Sequence, residues 1–266
     1  MRKKQKLYKE HTSRRGIYIL PNLFTSASLF GGFYAIIASI QGRFEAAAIA
    51  IIISAIFDGM DGRIARFTRT TSDFGGEYDS LADLVSFGVA PATLAYLWAL
   101  KPFGRLGWLA AFMYVICGAL RLARFNVEKY RTRKNFFKGL PIPAAACFIA
   151  SLILFTGAIE GVAEKRDIII IFMIYSLSFL MVSSLSYMSF KEFNIKHQKP
   201  FNVLVTVILI LIVIAYKPKI LLFLILFFYI LSGPVVSLYY HKKRVLDEDS
   251  LDVIASKRDE NKATKN

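Results

Sequence analysis

Long stretches without a charged side chain recur along this chain. Residues 16–42, 139–159, 168–190 and 220–240 contain no Asp, Glu, Lys or Arg. A helix that crosses a bilayer needs about 20 largely apolar residues. Each of the four stretches meets that length, and residues 200–216 make a shorter fifth. A backbone in lipid must satisfy its own hydrogen bonds, so each is expected to be helical. Three further apolar stretches, 46–57, 84–100 and 106–120, reach spanning length only if charged residues are admitted at one end. The pattern predicts eight helices, at roughly 20–41, 44–67, 76–100, 105–127, 140–162, 168–190, 201–217 and 219–240. The expected fold class is all-α, a polytopic transmembrane helical bundle.

Charge tests that count. The 266-residue chain is 55% hydrophobic and carries a formal net charge of +15. Eight spans would put the N-terminus, the 2–3, 4–5 and 6–7 connections and the C-terminus on one side. That side collects 27 of the 34 Lys and Arg, all except Arg43, Lys101, Arg105, Lys165, Arg166, Lys217 and Lys219. Lys and Arg accumulate on the cytoplasmic side of a membrane, so both termini are expected to be cytoplasmic, in a multi-pass protein of the cell (inner) membrane. The basic N-terminus is followed by 27 uncharged residues, too long a stretch for a signal peptide and without a clear small-residue cleavage site. The tail from Asp247 is polar and mixed in charge, the composition of a disordered segment. Cys117 and Cys147 fall in predicted spans and are expected to act as small buried hydrophobes. No nucleic-acid partner is expected.

Charged side chains in the bilayer region are costly, and this makes them candidates for function. Asp58, Asp61, Asp79 and Asp83 lie where the second and third helices approach the cytoplasm. Asp58 and Asp61 are three residues apart and Asp79 and Asp83 four apart, so each pair shares a helical face. A hairpin connection would let the two faces converge. Four carboxylates at one point repel, and a divalent cation removes that penalty. Oxygen ligands select hard metals, Mg²⁺, Mn²⁺ or Ca²⁺. The absence of nearby His or Cys in the sequence argues against zinc, and the spacing does not fit an EF-hand.

Glycines punctuate the cluster: Gly59, Gly62, Gly75 and Gly76. Each costs about 1 kcal/mol in a helix interior. Close approach of a bulky ligand would explain them, and so would tight helix packing in a membrane. Arg63, Arg66 and Arg69 add positive charge. Hard metal, arginine and bare backbone together describe a phosphate or pyrophosphate site. The alternatives are a buried ion-pair network without chemistry, and a cation transporter or channel using the aspartates as a pathway. A transporter predicts acids spread through the membrane depth, whereas these cluster at one face.

The order Asp58, two residues, Asp61-Gly62, two residues, Ala65-Arg66, eight residues, Gly75, three residues, Asp79, three residues, Asp83 resembles the complete signature of the CDP-alcohol phosphotransferases. The resemblance extends over about the first 190 residues, which would form the six-helix core of that family, with two extra C-terminal helices beyond it. It implies transfer of a phosphatidyl-type group from a CDP-linked lipid to an alcohol, with release of CMP. By similarity, Asp58, Asp61, Asp79 and Asp83 bind divalent metals, Mn²⁺ or Mg²⁺ and two ions in all. Asp83 would also be the general base, and Gly62, Ala65, Arg66 and Gly75 would line the CDP site. Family likeness further suggests a homodimer, which small residues in the helices permit.

Two further stretches, Leu120-Arg-Leu-Ala-Arg-Phe-Asn126 and Lys138-Gly-Leu-Pro-Ile-Pro-Ala144, resemble the integral-membrane, serine-accepting branch of the family. This likeness implies CDP-diacylglycerol and L-serine as substrates. Serine's carboxylate needs a cation, and Arg121 and Arg124 are three apart on one helical face, with Lys138 a further candidate. The alternative is that these are topology residues facing lipid phosphate. Glycerol phosphate or inositol phosphate would also call for arginine, so a phosphatidylglycerophosphate or phosphatidylinositol-phosphate synthase stays open. Choline or ethanolamine would call for an acidic or aromatic cage. The expected organisation is a basic arm (1–19), a six-helix catalytic membrane core (20–190), two additional helices (191–240) and a polar tail (241–266). The last two helices carry no chemistry that the sequence identifies.

Overall fold

The computed structural model describes residues 19–68, 73–131, 137–158, 168–183, 185–187 and 217–235. Seven helices are found among them: α1 (Ile19–Ile40), α2 (Phe44–Thr68), α3 (Asp73–Phe103), α4 (Arg105–Arg131), α5 (Ile142–Ala158), α6 (Ile168–Val182) and α7 (Pro218–Val235). A two-residue antiparallel ladder joins β1 (Phe137–Lys138) to β2 (Ser186–Tyr187). The fold is thus an all-α helical bundle, as expected. Four helical stretches, Pro21–Ile40, Asp73–Phe103, Arg105–Val127 and Pro218–Val235, are long and apolar enough to cross a membrane. α2 has the length but carries Glu45, Asp58 and Asp61. Exposed Phe30, Phe33, Phe112, Phe172 and Phe179 cover the outside of the bundle, a surface suited to lipid. Apart from Lys217 the helix expected at 201–217 lies outside the described residues, as do the expected arm before Ile19 and the expected tail from residue 241.

α1 and α2 form a hairpin. The chain reverses at Gly42, whose φ of 74° favours glycine, and Arg43 N–H donates to Ala38 O at 2.9 Å. Alanines line the seam, with Ala35, Ala38, Ala47 and Ala48 fully buried. Side chains this small let two helix backbones approach closely in a membrane, where packing replaces the hydrophobic effect. Gly31 and Gly32 continue the seam. A Cβ on Gly31 would sit 2.4 Å from Ser54 Oγ, and one on Gly32 would sit 2.5 Å from Ser86 Cα in α3.

α3 is not a regular α-helix. Two π-helical stretches interrupt it, Leu84–Val89 and Tyr96–Leu100. Ala90 N–H reaches back five residues to Val85 O. Pro91 has no N–H to direct at Phe87 O, where an α-helix would send it. The buried Tyr114 of α4 donates its hydroxyl to Phe87 O at 3.1 Å instead. π-bulges occur often beside functional sites, and the first of these begins directly after Asp83.

The sixth helix is shorter than expected. It ends at Val182 instead of continuing to residue 190. The residues beyond it are uncharged, but their backbone is used for pairing. Gly139 N–H donates to Leu185 O at 2.8 Å, Leu140 N–H donates to Leu180 O at 3.0 Å, and Phe137 pairs with Tyr187. Gly139 allows this approach. Its φ is 84°, and a Cβ there would lie 2.4 Å from Met181 O.

α7 packs back on the bundle. Lys219 pairs with Glu45 at the start of α2. Phe223 stacks on Phe155 and Phe148 of α5, with ring centroids 4.6 and 5.5 Å apart.

Candidate functional site

The last turns of α2 and the first turns of α3 bring the aspartates together. One carboxylate oxygen from each of Asp58, Asp61 and Asp79 lies within 4.8 Å of the other two. Both helix pairs predicted from spacing therefore converge, as a hairpin requires. Asp83 joins from the next turn of α3, its carboxyl within hydrogen-bonding range of Asp58. Two carboxyls that close need a proton or a cation between them. Three oxygens at this separation, with no nitrogen or sulfur among them, suit a hard divalent ion. The residues present thus fit a metal, and the trio could hold one.

Hydrogen bonds from neighbouring helices fix the cluster. Thr25 of α1 donates its hydroxyl to Asp61 Oδ2 at 2.8 Å, and Asp61 is only 6% exposed. Ser26, on the same turn, shares a 2.8 Å hydrogen bond with the Tyr78 hydroxyl beside Asp79, and Tyr78 stacks on Phe74. Between Asp79 and Asp83, Ser80 accepts a 3.0 Å hydrogen bond from Asn126 Nδ2 of α4. Thr25 and Asn126 were not among the expected site residues. The signal for Thr25 was a polar side chain on a predicted span, and Asn126 closes the Leu120–Asn126 stretch that resembles the family, without a role assigned to it.

Gly59 and Gly62 face open space, with nothing within 4 Å of the position a Cβ would occupy. Helix packing therefore does not account for them, and the clearance beside the aspartates suits approach of a large ligand. Ala65 and Arg66 lie in the final turns of α2 and Gly75 in the first turn of α3. Arg63 is exposed, and Arg69 lies outside the described residues.

The two arginines of α4 separate. Arg121 is 9% exposed, its Nε has no hydrogen-bond acceptor, and its charge interacts with Asp83. Arg124 turns to the end of α6, where Nη1 donates to Val182 O at 3.4 Å. A cation at a helix C-terminus is favoured by the helix dipole. Lys138 lies in β1, which is clamped to the chain just after α6. The charge of Arg121 also interacts with Tyr229 of α7, a residue in a helix to which no chemistry was attached. Cys117 is buried and Cys147 half-buried, and both are free thiols.

The family described as CDP-alcohol phosphatidyltransferase matches residues 18–232. The chain is similar to a CDP-diacylglycerol–serine O-phosphatidyltransferase of Helicobacter pylori, 41% identical over 176 residues, covering 66% of this chain and 74% of that protein. It is similar to an archaetidylserine synthase of Methanothermobacter thermautotrophicus, 40% identical over 170 residues, with 63% and 69% covered. A CDP-diacylglycerol–serine O-phosphatidyltransferase of Bacillus subtilis is 36% identical over 174 residues, 65% of this chain and 92% of its own. With the aspartate signature on α2 and α3 inside the matched span, the chain belongs to the CDP-alcohol phosphatidyltransferase family.

Proposed function

We propose that this membrane enzyme transfers the phosphatidyl group of CDP-diacylglycerol to the hydroxyl of L-serine, giving phosphatidylserine and CMP. The convergence of Asp58, Asp61 and Asp79 beside Asp83 carries the reading. The relatives named for serine transfer support the choice of acceptor.

Asp58, Asp61 and Asp79, with Asp83 at their edge, hold the divalent ions. Mg²⁺ or Mn²⁺ bound there would neutralise the diphosphate and the charge that develops on CMP as it leaves. Asp83 takes the proton from the serine hydroxyl. The hydroxyl oxygen bonds to the phosphorus that carries the diacylglycerol, and the anhydride bond to the CMP phosphate breaks. Gly62, Ala65, Arg66 and Gly75 form the CDP site, where the cleared backbone of Gly62 gives the diphosphate room. Arg121 takes the serine carboxylate, since a buried guanidinium beside Asp83 can aim the hydroxyl at the base. Arg124 and Lys138 form the rim of that pocket. The acyl chains of the donor stay in lipid. The distribution of Lys and Arg supports a multi-pass protein of the inner membrane with its termini and active site cytoplasmic. Small residues in the helices are compatible with a homodimer.

The test is an acceptor panel. Purified protein in detergent, with Mn²⁺ or Mg²⁺, is given labelled CDP-diacylglycerol and L-serine, sn-glycerol 3-phosphate or inositol phosphate. Serine-dependent CMP release is expected. CMP release with a phosphorylated acceptor but not with serine overturns the reading.

A further inference from the structure

The sequence was expected to place α7 beyond a six-helix core ending near residue 190, but the family match runs to residue 232 and takes in most of this helix, whose placement is specific. Lys219 of α7 pairs with Glu45 at the start of α2, and Phe223 stacks against Phe155 and Phe227 against Phe148. These contacts set the register of α7 on the bundle. Tyr229 is ten residues beyond Lys219, about 15 Å along the axis, and Asp58 is thirteen residues beyond Glu45, about 20 Å along its own. Because both helices run inward from the same ion pair, Tyr229 comes within about one turn of the aspartate level. It is half-buried there, beside the buried Ile230.

Arg121 of α4 is the second buried group. It is more than nine-tenths buried, and its Nε has no hydrogen-bond acceptor. Its charge interacts with Asp83, at the reacting end of the site, and with Tyr229. Burying a guanidinium is costly unless its donors are used. An anion entering between α4 and α7 would use them. A phenol beside a guanidinium limits the ways its planar fork can turn.

We propose that Tyr229 is a positioning residue for the acceptor: the C-terminal helix presents its hydroxyl to Arg121 and fixes the guanidinium that receives the acceptor's anionic group. The inference rests on the reading of Arg121 as the acceptor's anion site. It gives α7 a role in choosing an alcohol that carries a negative charge, while the CDP-lipid end of the site is untouched. Tyr229→Phe keeps the ring and removes only the oxygen.

The experiment compares wild type, Tyr229→Phe and Tyr229→His as full-length protein in detergent. It measures acceptor KM, kcat and the affinity for CDP in the presence of Mn²⁺. Removing the polar group nearest a buried charge predicts an acceptor KM about tenfold higher in Tyr229→Phe. kcat and CDP affinity should stay within about twofold of wild type, and Tyr229→His, with a polar ring tip, should recover part of the loss. An unchanged acceptor KM in both variants overturns the proposal. So does a parallel fall in CDP affinity, because that is the mark of a structural role. If wild type uses sn-glycerol 3-phosphate and not L-serine, the serine reading fails, and the Tyr229 variants are judged by the same criterion on that phosphate.

Discussion

Two sets of glycines in neighbouring helices behave in opposite ways. Gly31 and Gly32 of α1 sit where a single added carbon would collide with Ser54 or with the backbone of Ser86. Gly59 and Gly62 of α2 face nothing within 4 Å. The first pair lets three helices close on one another, so its glycines are packing residues. The second pair forgoes about 1 kcal/mol of helix stability per residue and packs no described neighbour where a side chain would stand. The difference shows how the bundle divides. One part is held shut by alanine and glycine, while another keeps bare backbone open beside three converging carboxylates. In a membrane protein, composition alone does not distinguish the two uses; the neighbouring helix does.

Several measurements press on that division, beginning with the open part. Asp83→Asn removes the proposed base, so turnover should fall by about 10²- to 10⁴-fold. Calorimetric binding of CDP should persist, and full activity in this variant would refute the role. Chelation of divalent ions should abolish CMP release, with recovery on adding Mn²⁺ or Mg²⁺; activity that survives exhaustive chelation would remove the metal from the account. Gly62→Ala should cut CMP release by about tenfold to a hundredfold through displaced substrate. Its thermal midpoint in detergent should stay level or rise, because alanine is the better helix former. Gly32→Ala should do the reverse. Overpacking against Ser86 should cost about 1–3 kcal/mol of stability, seen as a lower midpoint, while the KM for CDP-diacylglycerol stays near wild type. If the two alanine variants behave alike, the distinction between the glycine sets fails. The smallest effect is expected from Tyr114→Phe, which leaves Phe87 O without its buried donor. It should cost about 1 kcal/mol, the low end of the range for Gly32→Ala, and slow turnover less than Gly62→Ala does.

Much of this was readable in the sequence. Charge-free stretches placed the helices, and α1, α2 and α4 begin within a residue of the expected positions. The aspartates could be paired from spacing because their intervals match the helical repeat. Other features were not readable, for physical reasons. Hydropathy reports which solvent a segment prefers, not its backbone geometry. The uncharged residues after Val182 were therefore expected to continue a helix, but they pair with β1. The first π-helical stretch of α3 lies where Pro91 withdraws an N–H and Tyr114, in another helix, supplies a donor. Such a match between distant residues leaves no local periodicity. Arg121 and Arg124 share a helical face, but three residues along α4 were enough to turn one to Asp83 and the other to Val182. Tyr229 was hidden for a related reason. It is an aromatic residue among apolar neighbours, and its register depends on the pairing of Lys219 with Glu45, 174 positions apart.

The clamp between β1 and the end of α6 bears on how the protein is made. A ribosome delivers the chain from its N-terminus, and early segments form structure before later ones exist. The four aspartates emerge with α2 and α3, and can meet as soon as that hairpin enters the bilayer. Gly139, Leu140 and Arg124 must wait for Leu180, Val182 and Leu185. Nascent protein halted before α6 would thus have its acidic centre complete while the stretch from Arg124 to Leu140 still lacked its anchor. The two sides of one active site are separated in time during synthesis, and the later side includes the arginine-bearing edge.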